Sequence, residues 1–322
     1  MLLITAVSLY LIAPSVVEVL SSWDQLRDLE PAWLLLVAAA QSASFASLWA
    51  LQRLALRARR WLPIITSQLA GNAAARLIPG GAATGTAVQF QMLRTAGIDT
   101  ARAASGLAAV GLLQLATTFA LPVIALPGVL LGGPVPRGLL NAAWLGAALF
   151  AVLFVVVVTA LRFDRPLRLL GRLVDAARRL VPLVLPPDRP TSTALLRGRD
   201  ALMDGLDERW IRAALLAVSR AAFDFLSLMI AMTAFGLEAR PSLVLLAYAS
   251  SALLGLIPLT PGGLGFVEAG LTATLTLAGI SASDAVAVTL LYRLFSFWLP
   301  IPLGMLAGVV HRLRFTETAK PA

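Results

Sequence analysis

The amino-acid sequence contains no cysteine, a single histidine and a single lysine in 322 residues. Without cysteine, the chain can form no disulfide bond, thiol nucleophile or thiolate metal site. Because His311 is the single histidine, a metal site built from histidines and a Ser–His catalytic triad are excluded as well. Charged residues are also scarce, at 13% of the sequence, where a soluble domain has about a quarter.

The hydrophobic content of the chain indicates a membrane protein. Of its residues 59% are hydrophobic, and the mean hydropathy is +0.84. This composition predicts an all-α, polytopic helical membrane protein rather than a soluble protein with a large core. The net charge of +9 comes from arginines that cluster between the apolar runs. Such clusters set membrane topology and attract anionic lipid head groups, so we expect no nucleic-acid partner.

The apolar runs predict about six full membrane spans, including a retained first span at the N-terminus. They lie near residues 1–20, 31–51, 103–126, 139–161, 213–235 and 285–310. Two arginine-rich segments, 53–60 and 162–212, should both be cytoplasmic by the positive-inside rule. The segment 162–212 links a first membrane repeat over 1–161 to a second over 213–322. We expect a multi-pass protein of a bacterial-type inner membrane with a cytoplasmic C-terminus.

Two further apolar stretches, 63–93 and 242–279, are broken by proline and glycine. Pro79-Gly80-Gly81 interrupts the first and Pro261-Gly262-Gly263 the second. Proline breaks a helix, and glycine allows backbone conformations that are closed to other residues. A half-stretch of about 15 residues reaches roughly 22 Å as a helix, less than a bilayer core of about 30 Å. The basic segments 53–60 and 162–212 and the basic C-terminus should all lie on the cytoplasmic side, and the ordinary spans between them fix the remaining number of crossings. Each broken stretch must then cross the membrane an even number of times. We therefore predict two re-entrant broken-helix hairpins that enter from opposite faces.

The two broken stretches also align with each other. Pro79-Gly80-Gly81 and Ala96-Gly97-Ile98 recur as Pro261-Gly262-Gly263 and Ala278-Gly279-Ile280, both 182 residues further on (79 to 261, and 97 to 279). Two triplets at the same separation predict an internal repeat. Because parity places the hairpins on opposite faces, the repeat has inverted topology, in which broken helices commonly meet at an alternating-access substrate site.

The run from Thr260 to Glu268, Thr-Pro-Gly-Gly-Leu-Gly-Phe-Val-Glu, with Arg293 in the last span, resembles the transmembrane region of lysylphosphatidylglycerol synthases. The resemblance to this flippase-like family extends from about Pro31 to Val310. In its two-domain members, a soluble domain makes aminoacyl-phosphatidylglycerol and the membrane region moves that lipid to the outer leaflet. Since this chain stops shortly after its last span, we expect it to lack the transferase domain. The resemblance therefore implies lipid translocation and does not imply lipid synthesis.

Ionisable residues inside the spans are the candidate site residues, because a charge at the bilayer centre costs about 2.5–3.5 kcal/mol on insertion scales. Arg76 has no acidic residue nearby in its own half-hairpin, so it is the best candidate for binding an anion. Arg220 can pair with Asp224 four residues on. Arg293 can either pair with Glu268 or bind a lipid phosphate. The candidate substrate-binding residues are Arg76, Pro79, Gly80, Gly81, Arg220, Asp224, Thr260, Pro261, Gly262, Gly263, Glu268 and Arg293.

Three functions fit this pattern. The first is a lipid flippase or scramblase that takes a phospholipid or a lipid-linked head group through a groove between the repeats. The second is a secondary transporter of a small solute, and the third is a non-transporting partner of a separate lipid-modifying enzyme. We expect membrane lipids, above all anionic phospholipid, as partners. We expect no catalysis, cofactor or metal, because the sequence shows no nucleotide loop, paired catalytic carboxylates or metal cluster.

The linker between the repeats contains an amphipathic pattern. Leucine, valine and alanine recur at helical spacing from Leu169 to Leu180, opposite the side chains of Arg168, Arg172, Arg178 and Arg179. This pattern is typical of a helix that lies on an anionic membrane surface. A solvated linker with an incidental apolar face fits it equally well.

A peptide covering Arg165 to Val181 decides between these two interpretations. We expect it to bind anionic vesicles at low salt and to be released at high salt, because the Debye length falls from about 10 Å at 0.1 M to about 3 Å at 1 M. Vesicle co-sedimentation at the two salt concentrations measures this. A peptide that ignores anionic vesicles at low salt would leave only the solvated linker.

Overall fold

The structure is a computed structural model that describes residues 29–78, 81–131, 137–179, 209–256 and 260–315, with 193, 196 and 200 as isolated positions. The predicted first span, most of the linker, Pro79 and Gly80 lie outside these residues. Within them, the regular elements are all helical. They are α1 (Pro31–Ala55), α2 (Leu62–Leu77), α3 (Gly81–Thr95), α4 (Thr100–Leu131), α5 (Arg137–Arg162), α6 (Asp164–Arg179), α7 (Trp210–Ala234), α8 (Pro241–Leu254), a 3₁₀ turn (Pro261–Gly263), α9 (Phe266–Leu277), α10 (Ala282–Arg293), a π turn (Leu294–Trp298) and α11 (Pro300–Phe315).

Four helices in the described part are long and apolar enough to cross a membrane. They are α1, α4, α7 and the continuous helix Ala282–Phe315 that joins α10, the π turn and α11. Each coincides with a predicted span, and α5, at 26 residues, covers the span predicted near 139–161. The prediction of an all-α polytopic membrane protein is confirmed. The number of six full spans stays a prediction.

The first broken stretch forms a tight helical hairpin. Helices α2 and α3 have 16 and 15 residues, about 24 Å of helix each, which is too short to cross an upright bilayer core of about 30 Å. Their backbones meet at Gly71 and Gly85. A β-carbon on Gly71 would lie 2.7 Å from the carbonyl oxygen of Gly85, so only glycine permits this approach. The second stretch repeats the form with α8 and α9, of 14 and 12 residues.

The two hairpins open at opposite ends of the helix bundle. His311, near the end of α11, contacts Thr66 at the start of α2 and Thr95 at the end of α3. The open end of the first hairpin therefore lies beside the basic C-terminal end of α11. At the second hairpin, Ser242 at the start of α8 packs against Gly128 in the last turn of α4. Because α4 begins next to α3 and runs the length of the bundle, its last turn lies at the other end.

The basic helix ends collect at one end of the bundle. Helices α1 and α7 pack side by side, with Leu51 and Ala217 buried between them. Arg53 and Arg57 from the end of α1 line one cavity together with Arg209 and Arg212 from the start of α7. The end at which the first hairpin opens is thus the arginine-rich end, as the positive-inside pattern predicts.

The apolar interior of the bundle lies around the second hairpin. Leu228, Val244, Leu271 and Leu291, from α7, α8, α9 and α10, are fully buried in one cluster. Many large apolar side chains on the outer faces of α5, α7 and α11 are exposed: Leu145, Val155, Leu215, Val218, Leu306 and Val309. An outward apolar surface on helices of this length is what contact with lipid chains requires.

The inverted repeat predicts that Gly97 and Gly279 lie on opposite sides of the membrane. Each ends a helix at positive φ (84° and 101°), is exposed, and has open space where a β-carbon would stand. Since the native chain has no cysteine, Gly97→Cys and Gly279→Cys each introduce a single thiol. Labelling with a membrane-impermeant maleimide, before and after permeabilisation, should modify the two positions from different sides. Modification of both cysteines from the same side would contradict the inverted repeat.

Candidate functional site

The tips of the two hairpins meet inside the bundle. Gly262, in the 3₁₀ turn, has φ 62°, and a β-carbon there would lie 3.2 Å from the Cα of Arg76 and 2.8 Å from a ring carbon of Phe297. Positive φ and this double contact both require glycine. The helix interruption at Pro261-Gly262-Gly263 therefore places the tip of the second hairpin directly against the end of α2.

Arg76 joins the first hairpin to the last span. Its Nη2 donates to the carbonyl oxygen of Ser296 at 2.7 Å, and its Nη1 donates to that of Phe297. In an α-helix the Ser296 carbonyl would accept from residue 300, but Pro300 has no N–H. Pro300 thus leaves the Ser296 carbonyl without its helical donor, and the guanidinium supplies one. The sequence hypothesis that Arg76 binds an anion stays a prediction, and two of its nitrogens are already engaged by backbone carbonyls.

Glu268 and Arg293 form a buried ion pair across the second hairpin. Arg293 Nε donates to Glu268 Oε1 at 2.7 Å, and both residues are less than 10% exposed. The predicted pairing of these two residues is confirmed. Arg293 Nη2 also lies 2.7 Å from Glu268 Oε1 in this ion pair, whereas Glu268 Oε2 makes no hydrogen bond with the described residues. The ring of Phe297 lies between two guanidinium groups, 4.2 Å from Arg293 and 4.6 Å from Arg76.

Asp224 is held by three neutral donors rather than by an arginine. Gln41 Nε2 donates to its Oδ1 at 3.0 Å, and Oδ2 accepts from the hydroxyls of Tyr248 at 2.7 Å and Tyr292 at 3.0 Å. Because a carboxylate can only accept, the Gln41 side chain must turn its nitrogen toward Asp224. The Gln41 Oε1 atom then faces Ser227, whose hydroxyl donates to it at 2.9 Å. The predicted pairing of Asp224 with Arg220 is wrong: tyrosines distant in sequence occupy the carboxylate.

Arg220 is therefore left with a guanidinium that forms no hydrogen bond or ion pair with any residue in the described ranges. Its backbone carbonyl accepts from Ser44 at 3.0 Å, which fixes α7 against α1. The side chain is half-buried and lines the central cavity of the bundle. Among the in-span arginines predicted to bind an anion, this one has the most unused donors.

The central cavity has a volume of about 340 Å³ and lies beside the junction of the tips. Helices α1, α2, α3, α4 and α7 and the last span all contribute to its wall. Its charged lining is Arg76, Arg220, Arg293 and Asp224, and its amide lining is Gln41, Gln52, Gln68, Asn72, Gln89 and Gln114. With Glu268 set against Arg293, the described charges at this site leave one net positive charge.

The amide side chains fix one another in the cavity wall. Trp49 Nε1 donates to Gln68 Oε1 at 2.9 Å, so the Gln68 amide group must present its nitrogen elsewhere. Gln89 Nε2 donates to Gln52 Oε1 at 2.9 Å. Gln68, Asn72 and Gln89 lie in the broken stretch 63–93, where amide side chains are costly in lipid, whereas Gln41 and Gln52 lie in an ordinary predicted span. A signal was present, because the polar residues of α1 recur at 41, 44 and 52, on one helical face.

The remaining predicted site residues lie at the tips rather than in the cavity wall. The Thr260 hydroxyl donates to the carbonyl oxygen of Leu264 at 2.9 Å, which closes the turn around Gly263. Gly81 begins α3 with φ 54°. Pro79 and Gly80 lie outside the described residues, as does the side chain of Pro261. Within the described part there is no cluster of three or more metal-ligating side chains.

The helix lengths, apolar outer faces and buried polar cavity define a multi-pass integral membrane protein with a polar interior site. The chain belongs to the family described as the lysylphosphatidylglycerol synthase transmembrane region, which matches residues 1–304. It is also similar to two archaeal proteins. One is a UPF0104 membrane protein of Methanothermobacter thermautotrophicus, 37% identical over 75 residues. The other is the UPF0104 membrane protein PH1989 of Pyrococcus horikoshii, 41% identical over 61 residues.

These two similarities are local. The first covers 23% of this chain and 22% of the Methanothermobacter protein, and the second covers 19% and 18%. The chain thus matches about a fifth of the length of each curated relative. Membership in the family rests on the family match, and the two relatives are described only as membrane proteins.

The junction of the tips predicts a matched pair of glycine substitutions. Gly262→Ala should strongly destabilise the fold, because it adds a left-handed non-glycine residue, at about 1–2 kcal/mol, and an overpacked contact with Phe297 and Arg76, at about 1–3 kcal/mol. Gly265→Ala is the control: its φ of 75° is similar, but nothing lies within 4 Å of the added carbon. Thermal unfolding in detergent should show the larger drop in midpoint for Gly262→Ala. Equal drops would mean that the tips do not pack as described.

Proposed function

We propose that this protein is a lipid translocase that moves a phospholipid or a lipid-linked head group between the two leaflets. The observation that carries the proposal is the polar cavity of about 340 Å³ inside a bundle of membrane-crossing helices, with one net positive charge among its described groups. A phosphate that crosses hydrocarbon alone loses its hydration, at a cost of many kcal/mol. Fixed donors in a wet cavity would offset much of that cost.

The position of the cavity supports a path beside the lipid. Ala82 and Thr86, in the first two turns of α3, line the cavity and are exposed. They lie near the tip of the hairpin, about 15 to 20 Å of helix away from its open end at Thr95. An opening at this depth would lie on the side of the bundle rather than at the arginine-rich end. A side opening lets a head group enter the cavity while its acyl chains stay in the bilayer.

The charged groups suggest separate roles within this site. Arg220 has unused donors and would meet the phosphate first. Arg293, which lines the cavity, would add its positive charge while its Nε and Nη2 keep their contacts with Glu268 Oε1. The first N–H groups of α3, which begins at Gly81, would add the positive end of a helix dipole. Arg76 would hold the last span in place rather than carry the phosphate.

A secondary transporter of a small polar solute is the second candidate. The amide-rich wall of the cavity favours it, because Gln52, Gln68, Asn72, Gln89 and Gln114 can bind a soluble polar molecule as well as a head group. The two functions require different paths to the cavity. A solute needs a closed central path, whereas a lipid needs the opening beside α3.

Arg220→Ala should slow lipid translocation by about tenfold or more while the protein still folds. The side chain forms no bond that the described fold needs, and a hydrogen bond to a charged group contributes about 1.5–3 kcal/mol. Leaflet-resolved lipid assays in reconstituted vesicles measure the rate. Arg293→Ala should also slow it, and Arg76→Lys should rescue only part of the loss in Arg76→Ala, since an ammonium lacks the planar fork.

Arg102→Ala is the matched control, because Arg102 is exposed in the first turn of α4 and lies outside the cavity. It should translocate lipid at the wild-type rate. The phosphate-binding role would be rejected if Arg220→Ala and Arg293→Ala also kept that rate. A wild-type protein that moves no lipid but accumulates a polar solute would instead favour the second candidate.

A further inference from the structure

We propose that the arginine-lined cavity between the end of α1 and the start of α7 is a second anion site, which holds a lipid head group with two phosphates at the membrane surface. The proposal does not depend on translocation, because none of the residues that line this cavity lines the central one. It starts from Arg57, which occupies a backbone position that three other helix ends fill with glycine.

Helix α1 ends in a turn that two backbone hydrogen bonds close. The N–H of Arg57 donates to the carbonyl oxygen of Leu54 at 3.2 Å, and the N–H of Ala58 donates to that of Arg53 at 3.1 Å. This pair of bonds goes with a left-handed residue just after the helix cap, and Arg57 has φ 48°. A residue with a β-carbon pays free energy for that conformation, so glycine usually fills the position.

Helices α3, α7 and α9 end in the same turn, and each uses glycine. Gly97, Gly236 and Gly279 have φ values of 84°, 67° and 101°, and the same pair of bonds closes each helix end. Within the part of the chain that the structure describes, Arg57 is the one residue other than glycine with positive φ. Strained backbone of this kind collects at functional sites, where the side chain offsets its cost. The side chain of Arg57, and not the turn, therefore accounts for an arginine at this position.

The cavity that Arg57 lines has a volume of about 530 Å³ and a strongly positive wall. Arg53 and Arg57 contribute from the end of α1, and Arg209 and Arg212 from the start of α7. The described lining contains no carboxylate, so four positive charges adjoin one space and repel one another. An anion with more than one negative charge would relieve this repulsion, and arginine commonly binds phosphate through two parallel hydrogen bonds.

The four arginines divide into one that builds the wall and three that can reach an anion. Arg53 Nε donates to the carbonyl oxygen of Ala58 at 3.3 Å, and its guanidinium lies 4.4 Å from the ring centre of Trp61. Arg53 therefore fixes the loop that carries Arg57. The side chains of Arg209 and Arg212 form no hydrogen bond or ion pair with the residues that the structure describes, and both are exposed. Their donors can turn to a phosphate without breaking an existing bond.

The surroundings of the cavity favour a lipid over a soluble anion. Trp61 in its wall and Trp210 beside it are both exposed, and tryptophans at the ends of membrane-crossing helices lie at the level of the head groups. Leu54 and Leu216 form an apolar part of the wall, and Leu215 is exposed on the outer face of α7. Phosphates in the cavity would thus have an apolar path for acyl chains next to them. Basic pockets between membrane helices commonly bind head groups that carry several phosphates.

The test is retention of lipids by the full-length purified protein in nanodiscs, measured by native mass spectrometry. The probes are cardiolipin, with two phosphodiesters, and phosphatidylglycerol, with one, at equal phosphate and with the same acyl chains. Cardiolipin should be retained about tenfold or more over phosphatidylglycerol, which corresponds to one additional charged contact. Inorganic pyrophosphate, added as a soluble competitor, should displace little of it. Equal retention of the two lipids overturns the proposal, and so does ready displacement by pyrophosphate, which would assign the cavity to a soluble anion.

Arg57→Gly separates lipid binding from folding. Glycine relieves the left-handed strain, so the thermal midpoint without cardiolipin should be unchanged or higher, while the preference for cardiolipin should fall about tenfold. Arg60→Ala is the control, because it removes an exposed positive charge from the same loop outside the cavity. It should keep the wild-type preference. An Arg57→Gly protein that also keeps that preference overturns the proposal.

A second variant tests the other wall and leaves the turn at Arg57 intact. Replacing Arg209 and Arg212 together by Gln removes two charges from the start of α7, so the preference for cardiolipin should fall about tenfold or more. An unchanged preference in this double variant also overturns the proposal. Translocation in vesicles that contain no cardiolipin measures the proposed function separately. A protein that moves no lipid there can still retain cardiolipin at this site, so the two failures are distinguishable.

Discussion

The structure depends on how the backbone carbonyl groups at helix interruptions inside the bundle obtain hydrogen-bond donors without water. Pro300 leaves the carbonyl of Ser296 without its helical donor, and the Arg76 guanidinium of the first hairpin donates to this carbonyl and to that of Phe297. The same arginine packs its Cα against Gly262 at the second tip. One residue therefore ties three breaks in the backbone together. The central cavity lies next to this junction, since Arg76 lines it.

The sequence predicted the architecture well because the relevant signals are local. Apolar runs, proline–glycine breaks and clusters of arginine mark helix length, helix interruption and membrane side, and each depends on neighbouring residues only. The offset between the two Pro-Gly-Gly triplets adds the symmetry. The described contacts of His311 with Thr66 and of Gly128 with Ser242 agree with hairpins that open at opposite ends.

The candidate site was predicted as a set of residues but not as a set of bonds. Spacing along one helix suggested that Arg220 pairs with Asp224, whereas Tyr248 and Tyr292 occupy the carboxylate from other helices. The absence of an acid near Arg76 made it the best anion-binding candidate, but its bonds to backbone carbonyls could not be predicted from the charged residues alone. The pairing of Glu268 with Arg293 was predictable, because the hairpin returns the chain to the facing span. Hydrogen bonds between distant neutral groups require the packed structure.

The distribution of partners also bears on how an anion could be bound and released. Arg293 contacts Glu268 Oε1 through both Nε and Nη2, so an anion that is attracted by its charge does not have to break the buried pair, whose separation would leave a carboxylate uncompensated. Arg220 has no pair to break with any described residue. A phosphate would then exchange water for fixed donors without the loss of an existing ion pair. Its release would cost only the contacts between the phosphate and those donors. Such a balance suits a site that a lipid passes through, because a translocating head group has to be bound strongly enough to enter and weakly enough to leave.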